Sequence, residues 1–336
     1  MIKLGIIYGG ISTEHDVSIM SAKSILENLN KEKYEIHEIY INEYGKWFEI
    51  QNGEKEEIYN LIWTLKELDV VFPILHGIGG EDGTIQGMLE MLKVPYVGCG
   101  VLASAVGMDK VYSKMIFKEV GIQQTKYIVI YYKNDKYYIR ENGIDEELKF
   151  EKIEKLKFPM FVKPSNSGSS VGVKKANDVN ELKLAIENAS KYDRKIIIEE
   201  GIKGKEVECA ILEKKDEIIA STVGEIKSAE EFYSFDAKYN IPNSQTIIPA
   251  KIEKNLIEEI QKNAIKAFKS IDGRGLARVD FFIEEGTNNI YINEINTMPG
   301  FTKISMYPKL FESDKISYSE LLDILINYAI NKFDFT

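Results

Sequence analysis

The chain is poor in the residues that mark secreted, metal-cluster and membrane proteins. Its 336 residues include only two cysteines, Cys99 and Cys209, far apart in the sequence. Neither has metal-ligand spacing, so we expect both to be reduced thiols of a cytoplasmic protein. No run reaches the roughly 18 apolar residues of a membrane span. The opening MIKLGIIYGG has no charged leader followed by a long apolar stretch, so we expect no membrane partner.

An excess of basic residues is also missing. The chain has 43 Lys and Arg residues against 53 Asp and Glu residues, a formal net charge of −10 at pH 7. This balance argues against nucleic acid as the main partner. The hydrophobic fraction of 44% and the charged fraction of 29% are ordinary for a globular protein. The length allows two or three domains.

Two common nucleotide fingerprints are absent as well. GIIYGG at 5–10 lacks the third glycine of the dinucleotide fingerprint. In SNSGSSVG at 165–172, no Gly-Lys-Ser/Thr follows the glycines at Walker A spacing. The sequence therefore predicts neither a nicotinamide site nor a Walker A loop.

Over its first hundred residues the chain alternates strand and helix patterns. One helix follows a possible cap at Ser12 or Thr13, and another covers 83–92. Apolar strand patterns occur at 3–8, 34–41, 69–75 and 94–98. This alternation is typical of an α/β domain in which helices cover a parallel sheet, and we assign it to residues 1–101.

Polar residues follow the strands of this first domain. Glu14 follows the first strand, and the glycine-rich HGIGGEDGT at 76–84 follows the third. Ligands of open α/β sheets bind beyond the carboxyl ends of the strands. A lone histidine is more often structural, but the placement of His76 in a glycine-rich loop favours a binding site.

After a predicted helix at 102–118, a loop of small residues marks the middle of the chain. Lys163 ends an apolar strand at 158–163, and the Gly- and Ser-rich segment 165–172 follows. Small residues allow backbone N–H groups to crowd around an anion. A flexible linker is the alternative, but Lys163 and the strands on both sides favour a lid over phosphates.

The segment 278–296 reads as two strands joined by the turn 285–289. Its alternation brings Asp280, Glu294 and Asn296 together, with Arg278 beside them. Carboxylate and amide oxygens are ligands that magnesium accepts when it also holds substrate phosphates. A solvated surface hairpin is the alternative, although these strands are too apolar for one that stands alone.

The segment 227–249 is polar and aromatic with weak periodicity. A loop of this length in a compact domain is usually functional or disordered. Tyr233, Phe235 and Tyr239 argue against plain disorder.

Five motifs, taken in order, resemble the D-alanine–D-alanine ligases of the ATP-grasp superfamily: HGIGGEDGT, VKPSNSGSSVGV, FDAKY, ARVDFF and NEINTMPGFT. The resemblance covers nearly the whole chain. It implies a three-domain α/β ATP-grasp fold with a Rossmann-like first domain at 1–101. Two ATP-grasp subdomains, at 102–194 and 195–336, then clasp the nucleotide.

The resemblance also implies how ATP and metal ions are held. The lysines expected at the phosphates are Lys110, Lys163 and Lys238. The other residues expected at ATP are Glu199, Glu200, Ile202, Glu206 and Phe282. Two Mg²⁺ or Mn²⁺ ions are expected at Asp280, Glu294 and Asn296, the ligands that the hairpin pattern already indicates.

Further residues are implied at the amino acids. Glu14 and His76 are expected near the first D-alanine. Tyr239 is expected to close over the site, towards Ser169 and Glu14. Arg278, Gly300 and Ser305 are expected at the second amino acid and the oxyanion.

The implied reaction is ATP-dependent joining of two D-alanines through a D-alanyl phosphate, for peptidoglycan. Two alternatives remain: a D-alanine–D-serine or D-alanine–D-lactate ligase, and a nucleotide-binding module without turnover. An intact pair of acids, Asp280 and Glu294, argues against the module. The family suggests a homodimer formed through the first domain.

Overall fold

A computed structural model describes residues 1–141, 143–215, 217–227 and 245–332. Three β-sheets are formed by these residues, each flanked by helices. Within the described ranges, no helix is both long enough and apolar enough to cross a membrane.

The first sheet has the order β4-β3-β2-β1-β5. Its strands are β1 (Ile2–Gly9), β2 (Tyr34–Ile41), β3 (Trp47–Gln51), β4 (Glu54–Glu57) and β5 (Val70–Pro73). Its helices are α1 (His15–Asn28), α2 (Leu61–Lys66) and α3 (Thr84–Leu92). The predicted parallel pairing is confirmed, because β1 runs parallel to both β2 and β5.

Two features of this sheet differ from the prediction. The expected strand at 94–98 forms a single bridge between Tyr96 and Val71, next to Pro95, which has no N–H to donate. The antiparallel extension through β3 and β4 was not predicted.

The second sheet is antiparallel, with the order β10-β9-β11-β6-β7-β8. Two helices, α4 (Val101–Met108) and α5 (Lys110–Glu119), precede it. Its strands are β6 (Tyr127–Lys133), β7 (Lys136–Glu141), β8 (Ile144–Glu147), β9 (Met160–Pro164), β10 (Lys174–Ala176) and β11 (Lys195–Glu200), and α6 (Val179–Ala189) packs on it. The single helix predicted at 102–118 is wrong, since Asp109 has an extended backbone and caps a new helix.

The third sheet is also antiparallel, with the order β14-β13-β12-β15-β16. Its strands are β12 (Gly204–Lys214), β13 (Glu217–Lys227), β14 (Gln245–Ile247), β15 (Leu276–Glu284) and β16 (Ile290–Asn296). The helices of this region are α7 (Lys254–Ser270), α8 (Met306–Ser313) and α9 (Tyr318–Lys332). The predicted hairpin is confirmed as β15 and β16.

The two faces of the third sheet have different roles. Neighbouring residues of a strand point to opposite faces. On β12, Val207, Cys209 and Ile211 are fully buried in a core shared with α7. Glu206 and Glu208 therefore lie on the other face, which the candidate site uses.

Two further cores show how the sheets are joined. The second sheet and α6 have a hydrophobic cluster of their own. By contrast, one cluster combines the first sheet with α8, α9 and part of the third sheet. Phe301 lies at its centre, with its ring 5.4 Å from that of Phe72 in the first sheet and 5.3 Å from that of Tyr307 in α8. The division at 1–101, 102–194 and 195–336 stays a prediction.

Candidate active site

A cavity of about 430 Å³ lies between the second and third sheets, within the usual range for ligand pockets. Phe161 and Lys163 of β9 form one wall, and Phe282 of β15 contributes to the opposite wall. The residues predicted for ATP that the structure describes all line it: Lys110, Lys163, Glu199, Glu200, Ile202, Glu206 and Phe282. The structure therefore brings this predicted set together around one space. Lys238 lies outside the described residues.

The Gly- and Ser-rich loop at 165–172 contributes Ser167, Ser169 and Ser170 to the same cavity. Ser169 and Ser170 have positive φ angles of 46° and 60°. Few non-glycine residues adopt this conformation, which is enriched at binding sites.

This loop is fastened to the start of α5. Asp109 accepts hydrogen bonds from the N–H groups of Val111 and Tyr112, and from Ser165 Oγ at 2.7 Å. Its other oxygen pairs with Lys195. Lys110 Nζ donates to the backbone oxygen of Ser167 at 2.7 Å. Asp109 therefore fixes the positions of both Lys110 and the loop.

A buried ion network forms the inner wall of the cavity. Glu199 lies 2.6 Å from Lys114 and 2.6 Å from Lys163. Burial opposes ionisation of Glu199, but the two lysines outweigh it and hold the pKa of its carboxyl well below the usual range. For the fully buried Lys114, burial dominates and lowers its pKa. Glu199 is therefore an anion that can only accept hydrogen bonds.

The hairpin of β15 and β16 carries the predicted metal ligands. Asp280 is paired across the strands with Glu294, and Arg278 is paired with Asn296. Arg278 donates to both oxygens of Asp280, each at 2.7 Å. Asn296 Nδ2 donates to Asp280 Oδ2 at 3.1 Å. Glu294 Oε2 lies 3.4 Å from Lys110 Nζ, which connects the hairpin to the larger cavity.

The oxygen atoms of these side chains fit a metal ion that also binds the phosphates of a substrate. Among the described residues, no group of three or more His, Cys, Asp and Glu side chains could hold a metal ion. Asp280 and Glu294 supply two carboxylates, and Asn296 adds an amide oxygen. Magnesium is commonly bound by one or two carboxylates together with phosphate oxygens, so this set matches such an ion.

Residues of the first domain complete the other side of the site. Ser169 Oγ donates to Glu14 Oε1, so the Gly- and Ser-rich loop contacts the loop after β1. Tyr239, their predicted third partner, lies outside the described residues. Glu81 accepts a hydrogen bond from the Gly77 N–H at 2.7 Å. Burial, followed by the nearby Glu14 carboxylate, raises the pKa of Glu81 to about 8.

His76 is buried and makes two contacts with the protein. Nδ1 lies 3.2 Å from the backbone oxygen of Met298, and Nε2 lies 3.1 Å from Ser21 Oγ. Burial lowers its pKa. His76 thus connects α1 to the turn after β16, a structural role beside the predicted one at the first D-alanine.

The turn after β16 places Gly300 against Ser305. A Cβ atom at Gly300 would lie 2.8 Å from Ser305 Oγ, so the position admits no side chain without a shift. Ser305 Oγ in turn accepts a hydrogen bond from the Thr302 N–H at 3.0 Å. The predicted pair of Gly300 and Ser305 is therefore close together in space.

Some residues of the site were not singled out from the sequence. They are Thr125 and Phe161 in the cavity, Lys114 beneath it, Glu81, and Glu208 beside Arg278. Glu208 follows Glu206 by two residues in an alternating strand, and this spacing could have placed it on the same face.

The comparisons with known proteins agree over nearly the whole chain. Residues 3–99 match the family described as D-ala D-ala ligase N-terminus, and residues 116–327 match D-ala D-ala ligase C-terminus. A D-alanine–D-alanine ligase of Acetivibrio thermocellus is 48% identical, over 98% of this chain and 96% of its own length.

Solved structures show the same likeness. The D-alanine–D-alanine ligase of Bacillus anthracis, complexed with ATP, has a TM-score of 0.80 and 32% identity, covering 99% of both chains. The VanG D-Ala:D-Ser ligase of Enterococcus faecalis has a TM-score of 0.83 and 35% identity, covering 98% of this chain and 99% of its own. These likenesses confirm the predicted ATP-grasp fold. The chain belongs to the D-alanine–D-alanine ligase family.

Proposed function

We propose that the chain joins two D-alanines to D-alanyl-D-alanine at the expense of ATP, for peptidoglycan synthesis. The observation that carries this proposal is the position of Glu294. It lines the large cavity and also a small one beside Glu81 and Gly168. A phosphate held by the lysines of the large cavity would therefore lie next to the hairpin of β15 and β16. Phosphoryl transfer to a bound carboxylate requires the phosphate to reach this end of the cavity.

The nucleotide is held along the large cavity. Phe161 and Phe282 supply apolar walls for the base. The backbone near Glu200 and Ile202 meets the adenine edge, and Glu206 binds the ribose hydroxyls. Glu199 remains anionic at the same wall.

The carboxylate of the first D-alanine is a poor electrophile. Transfer of the γ-phosphoryl group of ATP to it gives D-alanyl phosphate and releases ADP. Lys110 and Lys163 neutralise phosphate charge, and Lys238 is assigned the same role. Such transfers depend on positioning and electrostatics more than on covalent chemistry by the protein. Asp280, Glu294 and Asn296 would hold the proposed pair of Mg²⁺ or Mn²⁺ ions, which would supply further neutralising charge.

In the second step the amine of the second D-alanine, after losing a proton to solvent, attacks the acyl carbon of D-alanyl phosphate. The C–N bond forms, the C–O bond to phosphate breaks, and inorganic phosphate leaves with the remaining proton. Glu14 holds the ammonium of the first D-alanine, with His76 nearby. Arg278 and the Gly300 N–H stabilise the oxyanion. Burial opposes the charge on Arg278, but Asp280 and Glu208 outweigh it and raise its pKa, so it stays cationic.

The remaining assigned groups close the site. Ser305 holds the carboxylate of the second D-alanine, and the family resemblance assigns to Tyr239 the closing of the site over both amino acids. Excluding water protects the acyl phosphate from hydrolysis.

An assay of the purified chain tests this function. ATP, magnesium and D-alanine should yield ADP together with D-alanyl-D-alanine, identified by mass spectrometry, and L-alanine should yield neither. Parallel reactions with D-alanine plus D-serine or D-lactate test the alternative acceptors. Predominant formation of a mixed product would reassign the acceptor, and ATP binding without any product would indicate a binding module.

Three further assignments complete the proposal. They are a cytoplasmic location, a homodimer formed through the first domain, and the division into domains at 1–101, 102–194 and 195–336. The family resemblance supports them. Light scattering of the purified chain tests the dimer, since a monomeric mass at micromolar concentration would contradict it.

A further inference from the structure

Arg278 lies between two buried carboxylates. Its Nε donates to Asp280 Oδ1 at 2.7 Å, and its Nη2 donates to Asp280 Oδ2 at 2.7 Å. The same Nε also lies 3.0 Å from Glu208 Oε2. Nε carries one hydrogen, and in this arrangement Asp280 receives it, while Glu208 stands within hydrogen-bond distance.

Glu208 lies beside Arg278 within the third sheet. In the register of this sheet, Glu208 is opposite Asp280, and Asp280 is opposite Glu294. The Glu208 side chain is only 5% exposed. Burying a carboxylate is costly unless it is paired, and Arg278 is a cationic partner of Glu208 in this structure.

The carboxylate oxygens of Asp280 accept hydrogen bonds and, in the proposed function, also bind a metal ion. Both accept hydrogen bonds from Arg278, and Oδ2 also accepts one from Asn296. In the proposed function Asp280 is also a magnesium ligand. Turning an oxygen towards a metal ion weakens its bond to Arg278, and a buried guanidinium that loses its partner is destabilised.

We propose that Glu208 is a positioning residue that replaces Asp280 as a hydrogen-bond acceptor of Arg278 when Asp280 binds the metal ion. A small rotation of the guanidinium redirects the Nε–H hydrogen bond from Asp280 to Glu208, because Glu208 Oε2 is already 3.0 Å from Nε. Arg278 thus stays in place at the oxyanion while Asp280 coordinates. This inference rests on the proposed function for the roles of Asp280 and Arg278.

A purely structural counter-ion would behave differently. It would change the stability of the sheet and leave metal affinity unchanged. If Arg278 changes its hydrogen-bond acceptor, Glu208 affects metal binding. Without that change, Asp280 can bind the metal ion only by leaving the charge of Arg278 without an acceptor. Metal affinity is therefore the property that separates the two roles.

The test measures Mn²⁺ binding by electron paramagnetic resonance in the presence of a non-hydrolysable ATP analogue. Glu208→Gln keeps the shape and removes the charge. We expect its Mn²⁺ affinity to fall about tenfold, with kcat reduced and KM for ATP within about twofold of wild type. Glu208→Asp keeps the charge but withdraws the oxygen from Nε, and we expect a loss of similar size.

The control is Glu213→Gln on the same strand. Glu213 accepts hydrogen bonds from Tyr328 and the Gly275 N–H, outside both cavities, so Mn²⁺ affinity should be unchanged. Unaltered Mn²⁺ affinity in Glu208→Gln, or wild-type affinity in Glu208→Asp, would overturn the proposal. Wild-type protein that binds Mn²⁺ with the analogue but makes no dipeptide would instead contradict the proposed function.

Discussion

Single side chains of this site are held by neighbours of opposite charge. Lys110 is near Glu294, Lys163 pairs with Glu199, and Arg278 pairs with Asp280. Charged groups held in this way need little reorganisation when a charged substrate arrives, which is the arrangement that electrostatic catalysis requires.

Glu294→Gln tests the proposed metal site by removing one negative charge from it. The change keeps the volume of the side chain, so the fold should remain. We expect kcat to fall at least ~100-fold, in line with the loss of several kcal/mol of charge stabilisation. The measurement is kcat at saturating magnesium. Glu285→Gln, an exposed acid at the turn of the same hairpin, should retain near-normal kcat, and equal rates for the two variants would contradict the assignment.

Glu81 gives the site a pH dependence. Its folded-state pKa of about 8 lies above its usual value of 4.5. Between these values the folded chain keeps a proton that the unfolded chain has released, so stability falls as pH rises. Glu81→Gln removes this loss. We expect its Tm advantage over wild type to grow by several degrees from about pH 5 to about pH 8, because each pH unit in this range changes the stability difference by about 1.4 kcal/mol. A Tm difference independent of pH would show that Glu81 ionises normally.

At the scale of elements, the start of α5 organises the phosphate end of the cavity. Asp109 caps the helix and holds the loop through Ser165, while the next residue, Lys110, points to the loop and to Glu294. One cap therefore places a helix, a loop and a phosphate ligand.

Asp109→Ala should affect both stability and nucleotide binding. Losing the cap costs about 0.5–2 kcal/mol, and releasing the loop should raise KM for ATP several-fold. Urea unfolding and steady-state kinetics measure the two effects. Asp178→Ala is the matched control, because Asp178 caps α6 in the same way through Asn180 and Glu181. It should lose less stability than Asp109→Ala, which also removes a partner of Lys195, and its KM should be unchanged. A similar KM for both variants would contradict the role of Asp109.

The sequence predicted the elements whose pattern is local. The hairpin of β15 and β16 followed from its alternation and turn residues. The break at Asp109 was missed, because the apolar pattern continues across it and only the cap geometry shows the interruption. The pairing of Lys114 with Glu199 was also missed. These residues are far apart in sequence, and nothing local indicates that a fully buried lysine would meet this acid.

For the whole molecule, the first and third sheets share a core while the second sheet has its own. Phe301 joins the first and third sheets, since its fully buried ring contacts Phe72 on one side and Tyr307 and Tyr318 on the other. The turn that carries Gly300 is therefore anchored in the common core.

Phe301→Ala should destabilise the first and third sheets together. Replacing a buried Phe by Ala typically costs about 3–5 kcal/mol. Hydrogen exchange followed by mass spectrometry should show faster exchange in β1 and β12, with β6 and β11 unchanged. Leu182→Ala, in the separate core of the second sheet, should give the reverse pattern. Uniform acceleration in either variant would show that the three sheets unfold as one unit.

The alternation along β12 sets a rule for changes in chain length. Val207 and Cys209 face the core, and Glu206 and Glu208 face the site. Because a one-residue slip turns every side chain of a strand to the other face, deleting a residue before Glu206 would place acids in the core and apolar groups beside ATP. Members of this family should therefore gain and lose residues in the connections between strands, and the strands of the site should keep constant length even where their residues differ.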